Sequence, residues 1–219
     1  MVDYWRPETV SLNEIQVRIA STDLIPSRMA LLDDIDVIFE KLSRQDILSF
    51  LDLQKSIKNP KQMEALSKTT GIDLQYLVLL RREVESYLPK PFHLKEIDWV
   101  SSHVIKKLLE NGVTNSEQYF ARVSDKESRS SFAKETGIDH ESLDYLSNLV
   151  SLCRVQWVSP NTGRMLIEAG YESCLKLSSA DANELFTAMD HVNENGKYFK
   201  GTIGLRDIKR LIEAAKYCL

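Results

Sequence analysis

Only three cysteines, Cys153, Cys174 and Cys218, occur in 219 residues, and no two stand in the C-x-x-C spacing of zinc or dithiol chemistry. They read as buried free thiols in a reducing compartment, which excludes a disulfide-framed secreted fold. The four histidines, His93, His103, His140 and His191, form neither H-x-x-x-H nor H-E-x-x-H, so no metal site is expected. No G-x-S-x-G, phosphate-loop or dinucleotide fingerprint is present, and neither a catalytic residue nor a cofactor is expected. Long apolar runs are missing as well. The longest, Tyr76 to Leu80, is far too short to cross a bilayer, and the start MVDYWRPETV lacks the basic-then-apolar order of a secretory leader. A cytoplasmic protein away from membranes is the expectation. Positive charge is not in excess either. With 28 Lys and Arg against 32 Asp and Glu the net charge is −4, so no global field recruits nucleic acid or anionic lipid.

What remains is an ordinary soluble composition, 43% hydrophobic and 27% charged, sufficient for one good core or two small ones. Apolar residues recur at spacings of three and four, and no stretch sustains strand alternation, so the chain reads as all-α. Ser11 is placed to cap a helix carrying Leu12, Ile15 and Ile19 on one face. Pro26 starts a second helix through MALLDDIDVIFEKL, and Ser43 is placed to cap a third, to about Gln54. Asn59-Pro60 opens a fourth. Thr114 with Glu117 reads as a capping box, and Ser178 or Ser179 caps a later helix. Asp33, Asp34 and Asp36, the one close carboxylate cluster, lie on a helix where they cannot all converge, and read as a solvated face rather than a metal nuclease site.

Two stretches echo each other. LSKTTGIDLQYLVLL from Leu66 and FAKETGIDHESLDYL from Phe132 share seven identities in fifteen positions. Each reads as helix, tight turn, helix: Gly71 and Gly137 suit the left-handed backbone that ends a helix, and Asp73 and Asp139 cap the next one. A second pair, DWVSSHVIKKLLENG from Asp98 and QWVSPNTGRMLIEAG from Gln156, shares Trp, Val, Ser, Leu, Glu and Gly. Pro89 and Pro91 forbid a continuous helix between them and mark a boundary. The expected organisation is an N-terminal helical bundle over 1–88 and a second domain over 92–219.

Such tandem helix pairs resemble the helix-hairpin-helix class. The run from ETGIDHESLDYL through VQWVSPNTGRMLIEAGYESCLKL to LRDIKRLIEAAK is similar to a bacterial family known as a domain of unknown function and built of tandem hairpin repeats. The likeness covers roughly residues 62–219 and extends back to about residue 20. The hairpin pattern places Gly-apolar-Gly where this chain has Asp98-Trp99-Val100-Ser101 and Gln156-Trp157-Val158-Ser159, so both glycines are replaced in both copies. In DNA-binding hairpins those glycines expose backbone N–H groups to a phosphate, and a Cβ obstructs the approach. The resemblance therefore implies the adaptor rather than the DNA-binding use of the class. Trp99 and Trp157 are expected as buried plugs between helices, against an alternative as base-stacking platforms. Ser101 and Ser159 are expected as helix N-caps.

Among basic residues, Arg81 and Arg82 point in different directions and read as structural partners of Glu83, Glu85 or an acidic residue of the first bundle. Lys197, Lys200, Arg206, Lys209 and Arg210 form the densest cluster and the one worth testing for phosphate. The leading functional expectation is a non-catalytic interaction module that binds or scaffolds protein. The alternative is weak DNA or RNA binding, without sequence preference, through that C-terminal cluster.

Overall fold

The structure is a computed structural model and describes residues 9–123 and 125–218. Of the two expected domains, residues 1–8 of the first and Ser124 and Leu219 of the second lie outside the described residues. The fold is all-α, and among the described residues no strand occurs. The chain divides into two compact units, one ending at Leu88 and the other beginning at Pro89.

The first unit contains α1 (Leu12–Ser21), α2 (Ile35–Ser43), α3 (Phe50–Ser56), α4 (Pro60–Thr70) and α5 (Leu74–Ser86). Its core gathers Ile15, Ile19, Leu31, Leu42, Leu53, Met63 and Leu77, an apolar face from each element, so burial of these faces rather than propensity holds the short helices. Tyr76, at the start of α5, donates its hydroxyl to the Leu31 carbonyl at 2.9 Å, and burial pushes that phenol well above its ordinary pKa. Arg28 meets the buried Glu83 at 3.5 Å, and Arg81 meets Glu85 one turn on at 2.7 Å.

Two expectations fail here. The single helix from Pro26 is split: residues Pro26–Leu32 form a 3-10 turn, and Asp34 takes a left-handed φ of 49° that an aspartate tolerates, before α2 begins. Ser43 ends α2 instead of capping α3. That cap is Ser49, whose hydroxyl accepts from Asp52 N while the Asp52 carboxylate accepts from Ser49 N; the same spacing from Ser43 to Asp46 starts no helix, because Asp46 takes a left-handed φ of 56°.

The two TGID turns take the same local shape. Gly71 and Gly137 have φ of 67° and 64°, and each donates its N–H to the carbonyl four residues back. Thr70 and Thr136 each donate a hydroxyl to the fourth carbonyl before them and accept from the N–H two residues on. Asp73 then caps α5, and Asp139 caps the next helix through Ser142 N at 2.7 Å. Hydrogen bonds from the Ser142 backbone and hydroxyl hold the Asp139 carboxyl below its ordinary value.

The second unit contains α6 (Ser102–Glu110), α7 (Ser116–Val123), α8 (Lys126–Thr136), α9 (His140–Leu152), α10 (Pro160–Glu168), α11 (Cys174–Ser178), α12 (Ala182–Val192) and α13 (Leu205–Ala215). Helix α9 is central, packed by α7, α8 and α10, and Leu143, Leu146, Leu149, Val150 and Leu152 are wholly buried. Helices α11 and α12 lie against α13. The expected Thr114 box shifts by one residue. Asn115 accepts from Gln118 N at 2.9 Å while the Gln118 amide oxygen reaches back to Thr114 N, because Ser116 is drawn inside to accept from Phe92 N. Ser178 and Ser179 start no helix; their hydroxyls donate to the Leu175 carbonyl at the end of α11, where Ser179 is the C-cap. Ser173 caps α11, and the carboxylate of Asp181, a stronger acceptor than a hydroxyl, caps α12.

Candidate functional site

The second echoed pair diverges in space. Trp99 is half-buried, donates its indole N–H to Tyr145 at 2.8 Å and lies beneath Arg164 at 5.0 Å. Trp157 is not a buried plug. Its φ of 70° is left-handed, a backbone that turns the side chain away from the path a helical residue would follow, and the indole is 45% exposed. Val155 and Val158 on either side fill the core instead. Ser159 caps α10 by accepting from Thr162 N at 3.2 Å, whereas Ser101 occupies the N-cap of α6 but its side chain makes no capping bond.

Trp157 stands at the mouth of a cavity of about 480 Å³, bounded by the start of α10, the end of α12, the 193–204 loop and α13. Its floor is apolar, with Met165, Met189, Ile203, Ile208 and Leu211. Phe199 lines it from the loop and is 49% exposed. The loop is built, not slack. The Asn193 amide accepts from Tyr198 N and Phe199 N and donates to Phe199 O, all at 2.9 Å, closing a local ring of bonds. Lys197 ties the loop to α10 through Glu168 at 3.0 Å, and Asp207 holds Gly204 N at 3.0 Å.

Glu168 is a node, accepting also from Arg164 Nε at 3.2 Å. Burial works to raise its carboxyl, and the hydrogen bonds it receives outweigh burial, leaving its pKa below the ordinary glutamate value. Across the cavity, Arg210 stacks on the Trp157 ring at 4.3 Å. Its Nε is buried with no hydrogen-bond partner, and among the described residues no carboxylate pairs with it.

The five clustered cations thus separate. Lys197 is held by Glu168, Arg210 lines the cavity, and Lys200, Arg206 and Lys209 are exposed away from its lining. The sequence reading missed Phe199, Met165 and Met189. An adjacent Tyr-Phe pair inside an otherwise polar loop was the signal available for the first. The three cysteines are free and buried. Burial pushes the Cys153 thiol up, while a hydrogen bond from Cys218 holds the Cys174 thiol below its ordinary value. Among the described residues no three His, Cys, Asp or Glu side chains are placed to hold a metal ion, and no helix is long and apolar enough to cross a membrane.

An all-helical scaffold with a cavity in the size range of ligand sites is what fold and geometry define. Residues 100–218 match the family described as domain of unknown function (DUF4332), just over half of the chain, and the chain belongs to that family. No curated protein and no solved structure matches it.

Proposed function

We propose that this chain is a non-catalytic interaction module that binds protein through the cavity between α10, the 193–204 loop and α13. The observation that carries the reading is the pairing of two half-exposed aromatic side chains, Trp157 and Phe199, at the rim of an apolar cavity. Exposed aromatics around a desolvated pocket are the usual anchors of protein interfaces. The cluster once set aside for phosphate supports it too. Lys197 is paired with Glu168, and Arg210 takes up one face of the Trp157 ring on which a base would stack.

Affinity capture from native lysate, with and without nuclease, tests the proposal. Protein partners retained after nuclease and lost in a Trp157→Ala, Phe199→Ala double variant are expected. Nuclease-sensitive capture, or a labelled 20-mer duplex binding tighter than roughly 10⁻⁴ M at 150 mM salt, would turn the assignment toward nucleic acid.

A further inference from the structure

We propose that Cys174 and Cys218 are a reversible oxidation site, a thiol pair that hydrogen peroxide converts to a disulfide. The proposal is independent of the protein-binding reading. Ser151 lies in the last turn of α9, where carbonyls have no N–H one turn ahead to receive. Its carbonyl oxygen accepts from Arg154 N and also from two thiols, Cys174 Sγ at 3.4 Å and Cys218 Sγ at 3.6 Å. Side chains that share one acceptor atom stand against each other, and the Cys218 thiol bonds the Cys174 sulfur as well. The packing of α11 on α13 brings the pair together, Cys174 from the first position of α11 and Cys218 from beyond the end of α13. Cys153 is not a member, since its sulfur faces α10 at Gly163. Nor is the pair part of a metal site, because among the described residues no three His, Cys, Asp or Glu side chains could hold an ion.

The surroundings favour the first step, because thiolate is the form that attacks peroxide. The hydrogen bond from Cys218, the Ser151 hydroxyl at 3.6 Å and the Arg154 charge together hold the Cys174 thiol below its ordinary pKa against the effect of burial. Cys174 Sγ attacks one peroxide oxygen. The O–O bond breaks, the departing hydroxide takes up the thiol proton and leaves as water, and Cys174 becomes a sulfenic acid. Cys218 Sγ then attacks that sulfur. The S–S bond forms, the S–O bond breaks, and the second water leaves with the Cys218 proton. Two electrons pass from the sulfurs to peroxide, and a dithiol reductant returns them. Both thiols are buried, so an oxidant little larger than water reaches them where a bulky disulfide does not. The bond closes a loop that contains α12, the 193–204 segment and α13, three of the four walls of the cavity.

Peptide mapping of the full chain after hydrogen peroxide treatment and alkylation tests this. Trypsin places the three cysteines on separate peptides, 135–154, 165–176 and 217–219. The folded chain should yield 165–176 joined to 217–219, with two hydrogens lost, and dithiothreitol should reverse the product. In urea the choice should invert. Cys153 and Cys174 are 21 residues apart, against 44 for Cys174 and Cys218, so loop closure alone favours the first pair by about threefold. The folded chain should instead favour Cys174 with Cys218 by about tenfold or more over every other pairing, since the structure holds those sulfurs together. Cys218→Ser, which removes the second thiol, should leave on Cys174 a sulfenic acid that dimedone captures, and Cys153→Ser should leave the linkage unchanged. A folded chain whose main product involves Cys153, or joins two chains, would overturn the proposal. So would three thiols that still alkylate in full once peroxide has oxidised Met29, which is 49% exposed and reports the dose.

Discussion

Gly163 is where α10 meets α9, and substituting alanine there sets two effects of known size against each other. The residue sits in the first turns of α10, buried, with ordinary helical backbone, so alanine gains about 1 kcal/mol of helix propensity. Its methyl, however, would fall 2.9 Å from Leu149 Cδ1 and 3.4 Å from Cys153 Sγ. Leu149 is wholly buried and Cys153 nearly so, which leaves no open space for either to retreat into. Overpacking of this kind costs about 1–3 kcal/mol. The expected net effect of Gly163→Ala is therefore a loss of about 1 kcal/mol, read as a lower urea midpoint at unchanged slope. Removing the obstacle reverses the sign: in a Leu149→Ala background the same change should be neutral or stabilising, because only the propensity term survives. A Gly163→Ala protein more stable than the parent chain would refute the reasoning, since it would mean that α9 yields at no cost.

Three further outcomes follow from the geometry. Gly71→Val forces a β-branched residue to φ of 67° in open space, so its cost is backbone strain alone, about 1–3 kcal/mol in denaturant melts, and an unchanged midpoint would contradict it. Ser116→Ala strips the Phe92 N–H of its acceptor inside the core and should cost about 1–3 kcal/mol, whereas Ser116→Thr, which keeps the hydroxyl, should lose less. Glu168 has a folded pKa below its unfolded value near 4.5, so its contribution is complete above that value and vanishes as pH falls through the lower folded one. The melting temperatures of Glu168→Gln and the parent chain should accordingly differ at pH 7, and the gap should narrow steadily as pH falls below 4.5; a gap that does not change with pH would rule out the charge as its cause.

Local chemistry carried much of the fold into the sequence. The TGID turns were legible because a glycine, a threonine and an aspartate at fixed offsets meet their partners within six residues, whatever surrounds them. Helix starts at Ser11, Asn59 and Ser159 were legible for the same reason. Where two caps competed within a few residues, as Ser43 with Ser49 or Thr114 with Asn115, propensity did not choose between them. The left-handed backbone at Asp46, which keeps a helix from running on from Ser43, settled the first, and the inward pull on Ser116 settled the second.

The cavity belongs to the other category. Periodicity reports which face of a helix is apolar, not whether two such faces close on each other or leave a gap, and the walls here come from residues 157 to 211 on separate elements. Equal sequence at Trp99 and Trp157 suggested equal burial, yet one indole is tied to Tyr145 under Arg164 and the other is turned outward by a left-handed backbone. A string of letters does not contain that torsion. Composition likewise grouped five cations that packing then separated, pairing Lys197 with Glu168 and stacking Arg210 on an indole. Short-range bonds that close within a turn are written in the order of residues; exposure, pairing and empty space depend on which distant elements arrive, and the tertiary structure alone decides them.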